Sequence, residues 1–271
     1  MIERLSLNQI TTRSWSLPDA VAGCAEAGVG WIGLWRDKVA EVGVETAARL
    51  VREHGLRVSS LCRGGFFTGR GPDGPTGDGV ADTLAALDEA VALGTDVLVL
   101  VVGGIADNDL GLSRRRVAEA LDQLVPAALD RGVRLALEPL HPMQCAERSV
   151  LSTLRQALDL AAPHPPEAVG VMVDELHVWW DPAVEASIAA AAGRIAGFQV
   201  CDELVPMPDP LMCRGLPGTG PIDHRHLRTC VEAAGYHGPI EVEIFNTDLW
   251  SRPGADVLPE VITSYRNHVA P

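Results

Sequence analysis

The stretch Leu129-Asp130-Arg131-Gly132-Val133-Arg134-Leu135-Ala136-Leu137-Glu138 holds the repeating pattern of the chain in ten residues. A helical segment stops on a glycine, where a left-handed C-cap residue belongs. A short apolar run starts at once and ends on a carboxylate, which is how a buried parallel strand reads. The same alternation extends in both directions. Strand-like runs fall at Leu5–Asn8, Gly30–Leu34, Arg57–Leu61, Val97–Val102, Val133–Glu138, Val169–Asp174, Ile195–Asp202 and Pro239–Phe245. Helical periods follow each of them, at 18–27, 45–54, 80–93, 113–131, 149–162, 183–192, 224–234 and 258–269. Gly28, Gly55, Gly94 and Gly235 close helices as Gly132 does. Eight units in 271 residues is about 34 residues each, the size of a βα repeat. Parallel strands need crossover helices, and closure removes the sheet edges, so the expectation is one α/β domain over residues 1–271, a closed (β/α)8 barrel. An open doubly wound sheet is the alternative, but no strand leads into a G-x-G-x-x-G turn.

Composition narrows the function. The chain has 22 Lys+Arg against 36 Asp+Glu, a formal charge of −14, which repels a phosphate backbone; DNA, RNA and anionic membranes are excluded as expected partners. The longest apolar run, Val97–Val102, is far below the 18 or so residues of a membrane span. Six scattered cysteines without a C-x-x-C pair read as reduced thiols, so the expected location is the cytoplasm.

In a barrel the reactive groups sit at the C-terminal strand ends. Strand five ends on Glu138 and strand six on Asp174; Gln199 lies near the end of strand seven and Glu243 near the end of strand eight. Neighbouring strands thus bring three carboxylates and an amide to one arc of the rim. Such a cluster is expensive to bury unless a cation joins it. Oxygen ligands of this hardness suit Mn²⁺ first, with Mg²⁺ or Co²⁺ as alternatives; the thiolates or several imidazoles of a structural zinc site are missing. His141, in Glu138-Pro139-Leu140-His141-Pro142, stands at the mouth, where a base of near-neutral pKa is useful. Trp179 and Trp180 are a candidate wall for a sugar or aromatic aglycone. The Gly-rich stretch from Arg63 to Gly79 reads as a rim loop, and His224 and His226 read as surface residues.

The order Glu138, Asp174-x-x-His177, Gln199-x-x-Asp202, Arg214 leading into Gly215-Leu-Pro-Gly-Thr-Gly, then Glu243, resembles the xylose isomerase-like TIM-barrel superfamily, in particular its sugar phosphate isomerase/epimerase group. The resemblance spans essentially the whole chain and is strongest from residue 133 to 245. It implies a metal held by Glu138, Asp174, the residue at 199 and Glu243. This chain departs from the pattern there, with Gln199 where the family has histidine. It also implies Glu138 and Glu243 as acid and base, with His177 and Arg214 holding substrate oxygens; Asp202, Trp179 and Trp180 are further candidate substrate contacts. The implied reaction is a sugar isomerisation or epimerisation through an enediolate, on a small carbohydrate, with no organic cofactor. The alternative is a lyase on an oxidised sugar, similar to inosose dehydratases or to the larger subunit of C-glycoside deglycosidases. In the deglycosidase case His141 is the base and a small partner subunit is expected; otherwise a homo-oligomer is.

Overall fold

The computed structural model describes residues 2–271. Eight strands close into a parallel barrel in chain order: β1 Leu5–Asn8, β2 Trp31–Trp35, β3 Arg57–Gly65, β4 Val97–Val101, β5 Arg134–Leu137, β6 Val169–Asp174, β7 Ile195–Val200 and β8 Ile240–Val242. The principal helices are α1 Leu17–Glu26, α2 Val44–Glu53, α3 Gly79–Leu93, α4 Leu110–Arg131, α5 Leu154–Ala161, α6 Val184–Ala190, α7 His224–Ala233 and α8 Gly254–Ser264. The expected (β/α)8 barrel is therefore the fold. Among the described residues no helix is long and apolar enough to cross a membrane.

Local chemistry sets the element ends. Gly28, Gly55, Gly94, Gly132 and Gly235 all have positive φ, the conformation that ends a helix most cheaply in glycine. Helix starts are capped by side chains: Asp109 accepts from Leu112 N–H, Thr153 from Gln156 N–H and Asp223 from His226 N–H. The caps correct two predicted boundaries. α4 starts ahead of Ser113 because Asp109 caps it, and α5 starts five residues after Ser149 because Ser149 bridges Gly103 and Thr153 is the cap. The Gly-rich rim segment is built too, with a two-stranded ribbon pairing Arg70–Gly71 and Gly74–Pro75.

Leu5, Leu7, Ile32, Leu98, Leu100, Leu135, Leu137, Val171 and Val173 are buried in the main apolar core, which also takes residues from all eight helices. A smaller cluster of Cys62, Val97, Val99, Ala136, Met172 and Ala196 forms a second core. In strands successive side chains alternate between the two faces, so it matters that register aligns Asp174 with Gln199, Gln199 with Glu241, and Glu241 with Ser6. Glu243 lies two residues beyond Glu241.

Candidate active site

Asp174 closes β6, and its Oδ1 caps the short helix Glu175–Val178 by accepting from Leu176 N–H at 2.9 Å. That leaves Oδ2 to accept from Arg214 Nη1 at 2.6 Å. The same Nη1 lies 3.2 Å from Glu243 Oε2 and donates to the Glu243 carbonyl at 3.3 Å. Arg214 stands on the short ribbon Arg214–Gly215, paired with Asp202–Glu203 after β7. One guanidinium thus spans two of the expected metal ligands.

Glu138, immediately after β5, Asp174 and Glu243 are all buried, at 5%, 0% and 3% exposure. Burial and the neighbouring Glu243 and Asp174 charges hold the Glu138 carboxyl well above the usual range. Burial also pushes Glu243 up to about 8, against the pull of Arg214. Arg214 is the one cation in ion-pair contact with these carboxylates among the described residues. Ionised together, the three would leave two negative charges uncompensated.

His177 brings a further constraint. Burial lowers its pKa to about 3, so the ring is neutral and has a single lone pair. Yet Nδ1 lies 3.0 Å from the His141 N–H, and Nε2 lies 3.1 Å from Arg214 Nη2. Both neighbours are donors. A neutral ring accepts from only one of them, so one of these two contacts sets donor against donor. Glu138, Asp174 and His177 also present ligand atoms within 4.8 Å of one another.

Gln199 does not touch the other three expected ligands through a hydrogen bond. Its Nε2 donates to Glu241 Oε1 at 2.8 Å, and its Oε1 is buried without a partner. Glu241 is the residue that sequence reasoning missed. Its carboxylate also accepts from Asn8 Nδ2 at 2.7 Å, Ser59 Oγ at 2.5 Å and Ser60 Oγ at 2.9 Å. Asn8 Nδ2 reaches Glu243 Oε1 as well, at 3.0 Å, and Asn8 Oδ1 accepts from Trp35 Nε1 at 2.8 Å. Four donors therefore hold Glu241, and Glu241 turns the Gln199 amide so that nitrogen is used and oxygen is free. A buried acceptor left free costs stability unless something binds it. Together with the uncompensated carboxylates, that oxygen makes the donor set of Glu138, Asp174, Gln199 and Glu243 suited to a hard divalent cation.

The remaining candidates divide. His141 is half-buried at the mouth, where burial lowers its pKa; it packs edge-to-face on Trp180 with ring centroids 5.4 Å apart. Trp180 Nε1 donates to the His177 carbonyl and Trp179 Nε1 to Glu203, so both indoles brace the loop after β6. Neither indole lines the pocket, whose walls include Trp35, Leu140, Gln144, Arg148, Leu176 and Phe245. Asp202 also lies outside those walls. It clasps the following loop, accepting from Gly218 N–H at 2.9 Å and Ile222 N–H at 3.1 Å, with His224 Nε2 at 3.2 Å. His224 corrects the surface reading. It is buried between Asp202 and Glu175, whose Oε2 is 2.6 Å from Nδ1, whereas His226 is exposed as expected.

Residues 21–267 match the family described as Xylose isomerase-like TIM barrel, and the chain belongs to that family. A crystal structure of protein SMc04130 from Sinorhizobium meliloti 1021 superposes with a TM-score of 0.94, at 42% identity over 100% of both chains. The IolI protein, crystallised with a zinc atom, superposes with a TM-score of 0.81 at 19% identity over 98% of each chain, a likeness of fold. Among curated proteins, 3-dehydroshikimate dehydratase of Pseudomonas aeruginosa is 32% identical over 166 residues, 59% of this chain and 25% of that one. The match thus spans about a quarter of the relative's length.

Proposed function

We propose that the chain is a divalent-metal-dependent enzyme that removes a proton from the carbon beside a carbonyl of a polyhydroxylated substrate. The observation that supports this best is the buried arc of Glu138, Asp174 and Glu243 around Arg214, with the His177 ring 3.1 Å from the guanidinium. A cation held by Glu138, Asp174, Gln199 and Glu243 supplies the Lewis acidity that makes such a proton removable. Mn²⁺ is the ion we assign; that IolI, a protein of the same fold, was crystallised with zinc supports a divalent metal.

The protein's own groups do the rest. Arg214, with His177 at its side, donates to a substrate oxygen and holds the reacting carbon in place. Of the two glutamates, Glu138 and Glu243, one takes the proton as the carboxylate and the other supplies one as the acid, a role for which burial raises both carboxyls above their usual range. The C–H electron pair moves into the new C–C double bond, and the carbonyl oxygen takes the negative charge. Return of a proton to the former carbonyl carbon, with the hydroxyl proton of the first carbon passing to the former carbonyl oxygen, completes an isomerisation; return to the opposite face of the first carbon completes an epimerisation.

A second reading starts from the same step. The electron pair expels a hydroxyl from the next carbon, a buried acid protonates it, and water leaves. The dehydratase relatives support this lyase branch, for which our reading makes His141 the base, although it lies outside the pocket walls.

The test is metal content together with deuterium wash-in from heavy water, on wild type and Glu243→Gln, across a panel of ketoses and β-hydroxy ketones. The expectation is one bound ion and exchange that the variant loses. Solvent deuterium in unchanged carbon skeletons identifies the isomerase; a conjugated enone with loss of water identifies the lyase. Absence of exchange from every substrate by the metal-loaded wild type overturns the proposal.

A further inference from the structure

The site pocket opens on its β2–β3 side into a wider cleft, and the two share Trp35, Cys62, Arg148 and Phe245. Four arginines line that cleft, and they are not equivalent. Arg36 is held by Asp82 and Glu89, each at 2.9 Å or less, and Arg13 faces Asp37 at 4.0 Å. Arg63 and Arg148 have no carboxylate within 4.0 Å among the described residues, and neither guanidinium donates a hydrogen bond to the protein. Both are half-buried. Arg63 sits over Phe66, its guanidinium carbon 3.7 Å from the ring centroid, which restrains the side chain. Two unpaired cations beside one cleft repel each other, and burial with the Arg148 charge lowers the Arg63 pKa. Three aspartates, Asp37, Asp73 and Asp82, line the same cleft, but Asp37 faces Arg13, Asp82 holds Arg36, and none lies within 4.0 Å of Arg63 or Arg148.

We propose that Arg63 and Arg148 form the recognition site for a carboxylate carried by the substrate away from its reacting carbon. This deepens, and rests on, the reading of the site as a carbonyl-activating centre. A planar guanidinium matches a carboxylate through paired N–H donors, and the Arg63 side chain is already restrained by Phe66. A phosphate shares that chemistry, but its second charge meets Asp37, Asp73 and Asp82 in the same cleft. The substrate is then a keto acid bearing hydroxyls rather than a neutral sugar.

The test is calorimetric titration of the metal-loaded protein with three probes: 3-dehydroshikimate as carboxylate, fructose 6-phosphate as phosphate, and neutral D-fructose. Wild type is expected to bind the carboxylate at least tenfold tighter than either of the others. Arg63→Met and Arg148→Met, each of which keeps the stem, should weaken that binding tenfold or more, and Arg148→Lys should recover most of it. Equal binding of D-fructose and the carboxylate, or wild-type affinity in both Met variants with an unchanged melting curve, overturns the inference. Tightest binding of fructose 6-phosphate overturns the carboxylate assignment. If the Arg dependence holds but no probe takes up deuterium, the carbonyl-activation reading falls and this site stands.

Discussion

Gln199 and Glu241 show how one strand position can be set by its neighbour. A glutamine where the family has histidine offers a neutral oxygen, which is useful to a cation only if the amide is turned the right way. Glu241 fixes that choice by taking the nitrogen at 2.8 Å. Outer partners of this kind are typically worth about 10–100-fold in metal affinity. Glu241→Gln, which can itself donate, should therefore weaken Mn²⁺ binding by about tenfold or more while leaving the chain folded, as read by Mn²⁺ titration followed by electron paramagnetic resonance. The glutamates set a pH dependence as well. Because burial holds Glu243 up at about 8 in the metal-free fold, a cation must displace its proton. Mn²⁺ affinity should rise with pH and level off above about 8, and calorimetry in buffers of different ionisation enthalpy should register the released proton.

At the scale of elements, β2 passes close to the Glu241 carboxylate at Gly33. A Cβ on Gly33 would come within 2.5 Å of that group, and the strand register shifts between Ile32 and Gly33. Gly33→Ala should cost about 1–3 kcal/mol, the usual range for overpacking, seen as a lower urea midpoint with an unchanged slope. The loop after β7 is held by a different device, the buried Glu175–His224–Asp202 cluster. Burial lowers the His224 pKa, but hydrogen bonds to Asp202 and Glu175 outweigh it and raise the group from 6.5 to about 9. A group whose folded pKa lies above its unfolded value stabilises fully below the unfolded pKa, and that contribution is lost as pH rises through the folded one. Stability should thus fall between pH 6.5 and about 9. Glu175, pushed up to about 7 by burial, and Glu243, pushed up to about 8, add declines of the same sign, so the upper slope that runs on towards about 9 carries the His224 contribution. Urea titrations at stepped pH should show that upper slope flattened in His224→Phe.

At the scale of the whole molecule, the candidate metal site joins β5, β6, β7 and β8, half of the closed barrel, so an ion bound there stabilises the folded state alone. At a hundredfold excess over Kd the gain is about 2.7 kcal/mol. Melting temperature should climb by several degrees with Mn²⁺ and return with a chelator, and Glu138→Gln should lose the response, as followed by calorimetry.

Much of this was legible in the chain itself. Strand and helix periods, together with five glycines in the left-handed conformation, determined a closed eightfold barrel, because the crossover from a parallel strand leaves few alternatives. The strand ends at Glu138 and Asp174, with Glu243 just past β8, were legible for the same reason: a carboxylate closing an apolar run has to face the rim. Only the tertiary structure decided what surrounds them. It set Arg214, forty residues after Asp174, between two carboxylates; it buried His224 in place of exposing it; and it made Glu241 the partner of Gln199. A sequence period reports which face of an element is apolar. Pairing between charges distant in the chain depends on the shear of the barrel and the path of its loops, and no local pattern encodes that.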